Sequence, residues 1–208
     1  MNTQRQFKKS QTVFCQGDVP SHTYRIKKGL VRAYIIHENG EEATIAFFGP
    51  GDIFPIATPF AIAHVALFYY DAVVDTVCTS YSPQEILKLL ENDPETALYQ
   101  FAKRYTSALL HIASLAQNTA HGKIAHILRY LAIRFGKPLS DGRHYRIGLR
   151  LTQHDIAKLC NITRETASIE LGVLKNQGVV VERFKRYTVD MEKISALIGD
   201  DPHEAIEL

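Results

Sequence analysis

Two stretches in the last third of the sequence hold side chains whose types and spacing suit contact with a polyanion. The first runs from Thr152 to Asn176. Thr152 is a natural helix N-cap with Asp155 three residues on, a capping-box pattern. Asn161-Ile162 turns the chain, and Thr163 caps a second helix. On that helix Ala167, Leu171 and Leu174 recur at i, i+4 and i+7, so they share a buried face. Glu165, Ser168, Ile169, Gly172 and Asn176 then point outward, with Arg164 at the flank of the first turn. An outward face that is short, polar and free of lysine suits a helix whose first turns enter the major groove of double-stranded DNA. Arg164 can donate two hydrogen bonds to guanine and Glu165 can accept one from the cytosine amino group, with Ser168 one turn further along. Thr152, Gln153, Thr163 and Thr166 lie at helix starts, where hydroxyl, amide and free backbone N–H groups hold phosphates. In the second stretch, Val179-Val180-Val181 and Tyr187-Thr188-Val189 read as a two-stranded hairpin. Its tip carries Arg183, Lys185 and Arg186 around Phe184, a basic wing in which Arg183 and Lys185 are expected on phosphates. The competing reading is a sensor or scaffold whose helix-turn-helix grips a protein partner. Arg164-Glu165 at a helix start, together with the basic wing, favours DNA.

Other chemistries find little support. No Ser/His/Asp set, paired carboxylates or phosphate loop stands in a recognisable context, so no enzyme is expected. His121 and His126 are five residues apart and do not share a helical face, which argues against a metal site. Cys15, Cys78 and Cys160 form no closely spaced pair, so each reads as a small buried hydrophobe in a reducing, cytoplasmic protein. The first six residues have no apolar stretch behind their charges and do not form a signal peptide. Ile53 to Tyr70 lacks any Asp, Glu, Lys or Arg, but Pro55, Pro59 and His64 interrupt it. It reads as a buried, partly extended core segment, not a membrane span. Charge is uneven along the chain. Met1 to Asn92 holds eight basic and nine acidic residues, Asp93 to Asp190 fifteen and eight, and an acidic tail from Met191 to Leu208 one and five. A basic second half suits a polyanionic partner.

The elements that must position these residues follow from periodicity. Val13 to Thr79 contains many short β-rich runs separated by turns, with Asn39-Gly40 as a hairpin signal in which both residues tolerate positive φ. That pattern indicates a sandwich or roll. Pro83 to Leu90 reads as a short helix, and Asp93-Pro94-Glu95 starts a long one reaching about Ala120. Leu98, Tyr105 and Ile112 recur in sevens, with Phe101, Ala108 and Leu115 between them, forming a seam for a homodimer. Gly122 is expected as a hinge before a helix from Lys123 to Phe135. The fold class is therefore α+β, with a β sandwich or roll over 1–92, a dimerisation helix over 93–121 and a helix-turn-helix with its hairpin wing over 122–208.

The run Leu151 to Ser168, with Thr163-Arg-Glu-Thr166 opening its second helix, resembles the helix-turn-helix of the Crp–Fnr family, named for the cyclic-AMP receptor protein and the fumarate–nitrate regulator. Phe14-Cys-Gln-Gly-Asp18, Lys28-Gly-Leu-Val-Arg32 and Gly49-Pro-Gly-Asp-Ile-Phe54 resemble the glycine turns of that family's cyclic-nucleotide-binding-type β-roll. The resemblance implies a transcription regulator with a β-roll sensor, a long dimer helix and a winged DNA-binding domain, and a Leu139–Arg146 loop that meets RNA polymerase. Three departures shape the expectation. No Arg or Lys stands between Arg32 and Lys88, so a cyclic phosphate would lack its cationic partner and cyclic AMP is not expected. Only Cys15 lies where oxygen-sensing members carry a cysteine cluster, so no iron–sulfur cluster is expected. Ile169 stands where many members have Arg, an apolar contact for a thymine methyl. Phe54, His64, Phe68 and Tyr69 are the candidate walls of a pocket for an unknown effector. Some relatives bind haem, but His64 among apolar residues reads first as a core or pocket residue, and no cofactor is expected. In the expected mechanism, repacking near Phe54 to Tyr70 shifts the Leu98–Leu115 helix pair and swings the DNA-binding domains about Gly122.

Overall fold

The computed structural model describes residues 3–199. Asp200, Asp201, Glu204 and Glu207 of the expected acidic tail lie outside the described residues. The chain divides into two compact units, Met1–Thr106 and Ser107–Leu208.

The first unit is a β-roll. Its strands are β1 (Thr3–Phe7), β2 (Thr12–Phe14), β3 (Thr23–Lys28), β4 (Val31–Ile36), β5 (Glu42–Phe48), β6 (Ile53–Phe54), β7 (Tyr69–Ala72) and β8 (Thr76–Tyr81). They form two antiparallel sheets, ordered β1-β8-β3-β6 and β2-β7-β4-β5. Alternation decides which side chains face the interior. Val31 and Ala33 join Ile26, Phe48, Phe54, Tyr70 and Cys78 in the core. The rings interlock, with Phe54 stacked on Tyr70 at 5.5 Å and Phe14 set edge-on to Phe54 at 6.5 Å. On the other face of β4, Arg32 is buried against the Tyr34 ring and paired with Glu42 and Asp71. Gly29, at φ +110°, lets β3 turn against Thr76, whose Cα would lie 2.6 Å from any added Cβ. The Asn39-Gly40 hairpin forms with a longer loop than a two-residue turn. Ile36 pairs with Glu42, and Gly40 carries the positive φ while Asn39 does not.

Two helices follow, α1 (Pro83–Asn92), capped by a Ser82–Glu85 box, and α2 (Pro94–Leu115). The boundary between the units falls inside α2. The second unit holds α3 (Ala120–Phe135), β9 (Gly136–Pro138), β10 (His144–Ile147), α4 (Gln153–Cys160), α5 (Arg164–Asn176), β11 (Val180–Arg183), β12 (Arg186–Asp190) and α6 (Met191–Ile198). Its sheet runs β11-β12-β10-β9. Ile124, Ile127, Leu128 and Leu131 of α3 form its buried centre with Ile156, Leu159, Leu171 and Leu174.

The structure corrects three expectations and extends two. The long helix ends at Leu115, not near Ala120, and Gly122 lies inside the first turn of α3. Thr119 caps that turn by accepting from the Gly122 N–H at 3.0 Å, so the break between the helices is at 116–119 and not at Gly122. The stretch Ile53 to Tyr70 is buried at its ends but exposes Phe60, Ile62 and Leu67 in the middle, because a loop hung between two short strands has no layer to cover it. The wing hairpin extends into a four-stranded sheet by pairing with β10. Cys15 is exposed, whereas Cys78 and Cys160 are buried as expected, and burial pushes the Cys78 thiol up to about 12. The first part of the acidic tail is α6, whose N-cap is Asp190.

Candidate nucleic-acid interface

Local sequence sets the helix-turn-helix. Thr152 accepts from the Asp155 N–H at 3.1 Å while its own N–H donates to the Asp155 carboxylate at 2.7 Å, closing the capping box. The Thr152 hydroxyl also donates to that carboxylate, at 2.8 Å. With the hydroxyl engaged, the groups at this helix start that can reach a phosphate are the N–H groups of Gln153 and His154, which lack intrahelical acceptors. Asn161 ends α4 in the left-handed region at φ 52°, and Thr163 caps α5 by accepting from the Thr166 N–H at 3.2 Å. The hydroxyls of Thr163 and Thr166 bond each other at 2.9 Å. Ala167, Leu171 and Leu174 are fully buried, which leaves Arg164, Glu165, Ser168 and Ile169 exposed along one side, Ile169 by 66%.

Thr152, Gln153, His154, Arg164, Glu182 and Lys185 line one open hollow of about 500 Å³. The fold therefore brings four of the expected contact residues, Thr152, Gln153, Arg164 and Lys185, onto a single concave surface between the two helix starts and the wing. Glu182, the acid in this hollow, is held by Lys175. Arg183 faces a second hollow of about 260 Å³, together with Arg146, Arg150, Phe184, Arg186 and Thr188. Sequence reading missed Arg146 and Arg150 because neither lies on the hairpin. Arg146 reaches the wing through its strand register, opposite Thr188. Asp190 anchors this sheet. It accepts from Arg143 Nε at 2.8 Å and Nη2 at 2.6 Å, and those bonds hold its carboxyl below the usual carboxylate range.

In the β-roll unit the four candidate pocket residues separate. Phe54 is fully buried among Phe14, Tyr24, Phe48 and Tyr70, and Phe68 packs partly against the same core. Tyr69 stacks on Tyr34 at 5.3 Å, and His64 is exposed on the loop. The rings close the interior around Phe54, so it serves as core. A cation absent from the local sequence arrives from α2, where the Arg104 guanidinium stands 4.1 Å over the Phe48 ring. Along α2, Leu98, Phe101, Tyr105 and Ile112 are all more than half exposed, and Ala108 and Leu115 are half-buried. The opposite side, with Ser107, Leu110, His111 and Ser114, is buried, and Ser107 Oγ lies 2.8 Å from the Tyr130 hydroxyl of α3.

Comparison with known proteins finds two matching family models in the chain. Residues 4–93 match the cyclic nucleotide-binding domain, and residues 122–197 match the Crp-like helix-turn-helix domain. The chain is 28% identical to the regulatory protein HlyX of Actinobacillus pleuropneumoniae, over 88% of this chain and 75% of that one. It is 29% identical to the global nitrogen regulator of Synechococcus elongatus, over 88% and 84%. The fold is shared with FixK2 from Bradyrhizobium japonicum, with a TM-score of 0.78 at 19% identity over 97% of this chain and 99% of that one. With both domains present in this order, the chain belongs to the Crp–Fnr family of DNA-binding transcription regulators.

Proposed function

We propose that the chain acts in the cytoplasm as a homodimer that reads an inverted repeat in double-stranded DNA, with α5 of each protomer in a major groove. The observation that carries this reading is the shared hollow of Thr152, Gln153, Arg164 and Lys185, in which two helix starts and a basic wing tip face the same space. Arg164, Glu165, Ser168 and Ile169 are the base-reading residues. The N–H groups at the starts of α4 and α5, with Lys185 and Arg183, hold phosphates. The exposed apolar side of α2 supports dimerisation through Leu98, Phe101, Tyr105, Ala108, Ile112 and Leu115. The turn between β9 and β10, held by Asp141 bonds to Arg143 and His144, is the surface proposed for RNA polymerase.

The effector, where one acts, is not cyclic AMP. The aromatic filling around Phe54, the pairing of Arg32 with Glu42 and Asp71 and the seating of Arg104 on the Phe48 ring support this, because a cyclic phosphate needs an available cation.

Selection of bound sequences from a random DNA pool tests the main reading, with wild type and Arg164→Ala run in parallel. Wild type is expected to enrich an inverted repeat with half-sites about one helical turn apart. Arg164→Ala should bind that repeat roughly 10- to 100-fold more weakly. Enrichment of no motif by wild type at moderate salt would favour a protein partner for the helix-turn-helix.

A further inference from the structure

We propose that the wing tip is a minor-groove wedge, with Phe184 inserting at a base step that flanks the half-site read by α5. This rests on the DNA-binding reading above. Arg183 pairs with Arg186, so Phe184 and Lys185 alone make the turn of the hairpin. Both have positive φ, 53° and 62°, the conformation of a hairpin turn that ordinarily takes Asn-Gly. A bulky side chain there is strained, and strain of this kind collects where a side chain is needed for function. The strain buries nothing, since Phe184 is 90% exposed.

The surroundings give the exposed ring a partner. On one side of the tip lies the hollow holding Lys185, Thr152, Gln153 and Arg164. On the other, Phe184 borders the hollow lined by Arg146, Arg150, Arg183, Arg186 and Thr188. Among the described residues no carboxylate pairs with any of those four arginines. Four like charges around one cleft repel one another, which an anionic occupant relieves. The tip is also fixed relative to α4, because the Leu151 N–H donates to the Lys185 carbonyl at 2.8 Å. The sugar–phosphate strand that borders a major groove borders the adjacent minor groove on its other side. With α5 in the major groove and that strand in the first hollow, the tip stands over the minor groove and the arginine cleft meets its far wall. Arginine is favoured in narrow minor grooves, and apolar wedges there unstack base steps and bend the duplex. A wing that only touched phosphates would use the arginines but leave the strained, exposed ring without a role.

The test uses the full chain and a duplex carrying the selected repeat, with 2-aminopurine placed step by step through the flanking base pairs. Wild type and Phe184→Leu should raise 2-aminopurine fluorescence at one flanking step and bend the duplex in a circular-permutation assay. Phe184→Asn, which suits positive φ and should melt no lower than wild type, should do neither. It should bind about tenfold more weakly, the scale of one aromatic contact with a base, while still selecting the same half-site. Equal fluorescence and equal bending by wild type and Phe184→Asn would overturn the wedge and leave a wing that touches only phosphates, with the DNA reading intact. Failure of wild type to bind any duplex would overturn the DNA reading and the wedge together.

Discussion

Asp190 shows how one side chain holds the DNA-binding surface in place. It ends β12, caps α6 by accepting from the Lys193 N–H at 3.1 Å, and is gripped by two Arg143 nitrogens. Its carboxylate is 97% buried, so removing its charge leaves Arg143 without its main partner. Because the folded pKa is lowered, its contribution to stability is complete above about pH 4 and is lost as pH falls through the folded value. Asp190→Asn should therefore cost about 2 kcal/mol at pH 7, and in urea unfolding that cost should shrink as pH is lowered below about 4. A cost that stays constant across that range would show that the charge is not what matters. The sequence marks Asp190 as the last residue of the basic stretch, but nothing local ties it to Arg143, which lies 47 positions earlier.

Helix α2 is arranged opposite to an ordinary surface helix. Its buried side carries Ser107, His111 and Ser114 with a single large apolar residue, Leu110, while Leu98, Phe101, Tyr105 and Ile112 face outward. Small and polar groups suffice on the buried side because Tyr130 reaches across to bond Ser107. Apolar residues left on the outside at heptad spacing suit a second copy of the same helix. Tyr105→Glu combined with Ile112→Glu should give a folded monomer in sedimentation, with dimer affinity reduced at least about 100-fold by two buried charges at the seam. A double variant that sediments as the wild-type dimer would place the interface elsewhere. The heptads of α2 were legible because periodicity is local. The end of the helix is less legible, because Gly122 reads as a breaker whereas Thr119, a far less conspicuous residue, starts the next helix.

For the molecule as a whole, charge is divided between the parts, with a net of −1 over residues 1–92 and +7 over 93–190. A dimer presents the basic surface twice, so each phosphate contact counts twice in the salt dependence of binding. Lys185→Ala should weaken binding to all sequences alike and make the slope of log K against log salt shallower by about 2. The monomeric α2 variant should show about half the wild-type slope. A Lys185→Ala slope equal to wild type would remove Lys185 from the phosphate contacts. This is where the division of labour between the base-reading and phosphate-holding residues becomes measurable, since Arg164→Ala should instead change which sequence is preferred.

The sequence alone determined what is decided within about four residues: the caps at Thr152 and Thr163, the buried stripe of Ala167, Leu171 and Leu174, and the outward set from Arg164 to Ile169. Each depends on hydrogen bonds or side-chain stacking along one helical turn, so spacing suffices. The tertiary structure alone decided which distant residues share a surface. Strand register set Arg146 beside the wing, α2 carried Arg104 over Phe48, and aromatic packing turned Phe54 from a candidate pocket wall into core. It also left Phe184 exposed between two cationic hollows, because pairing across sheets and between elements is set by contacts that no local pattern encodes.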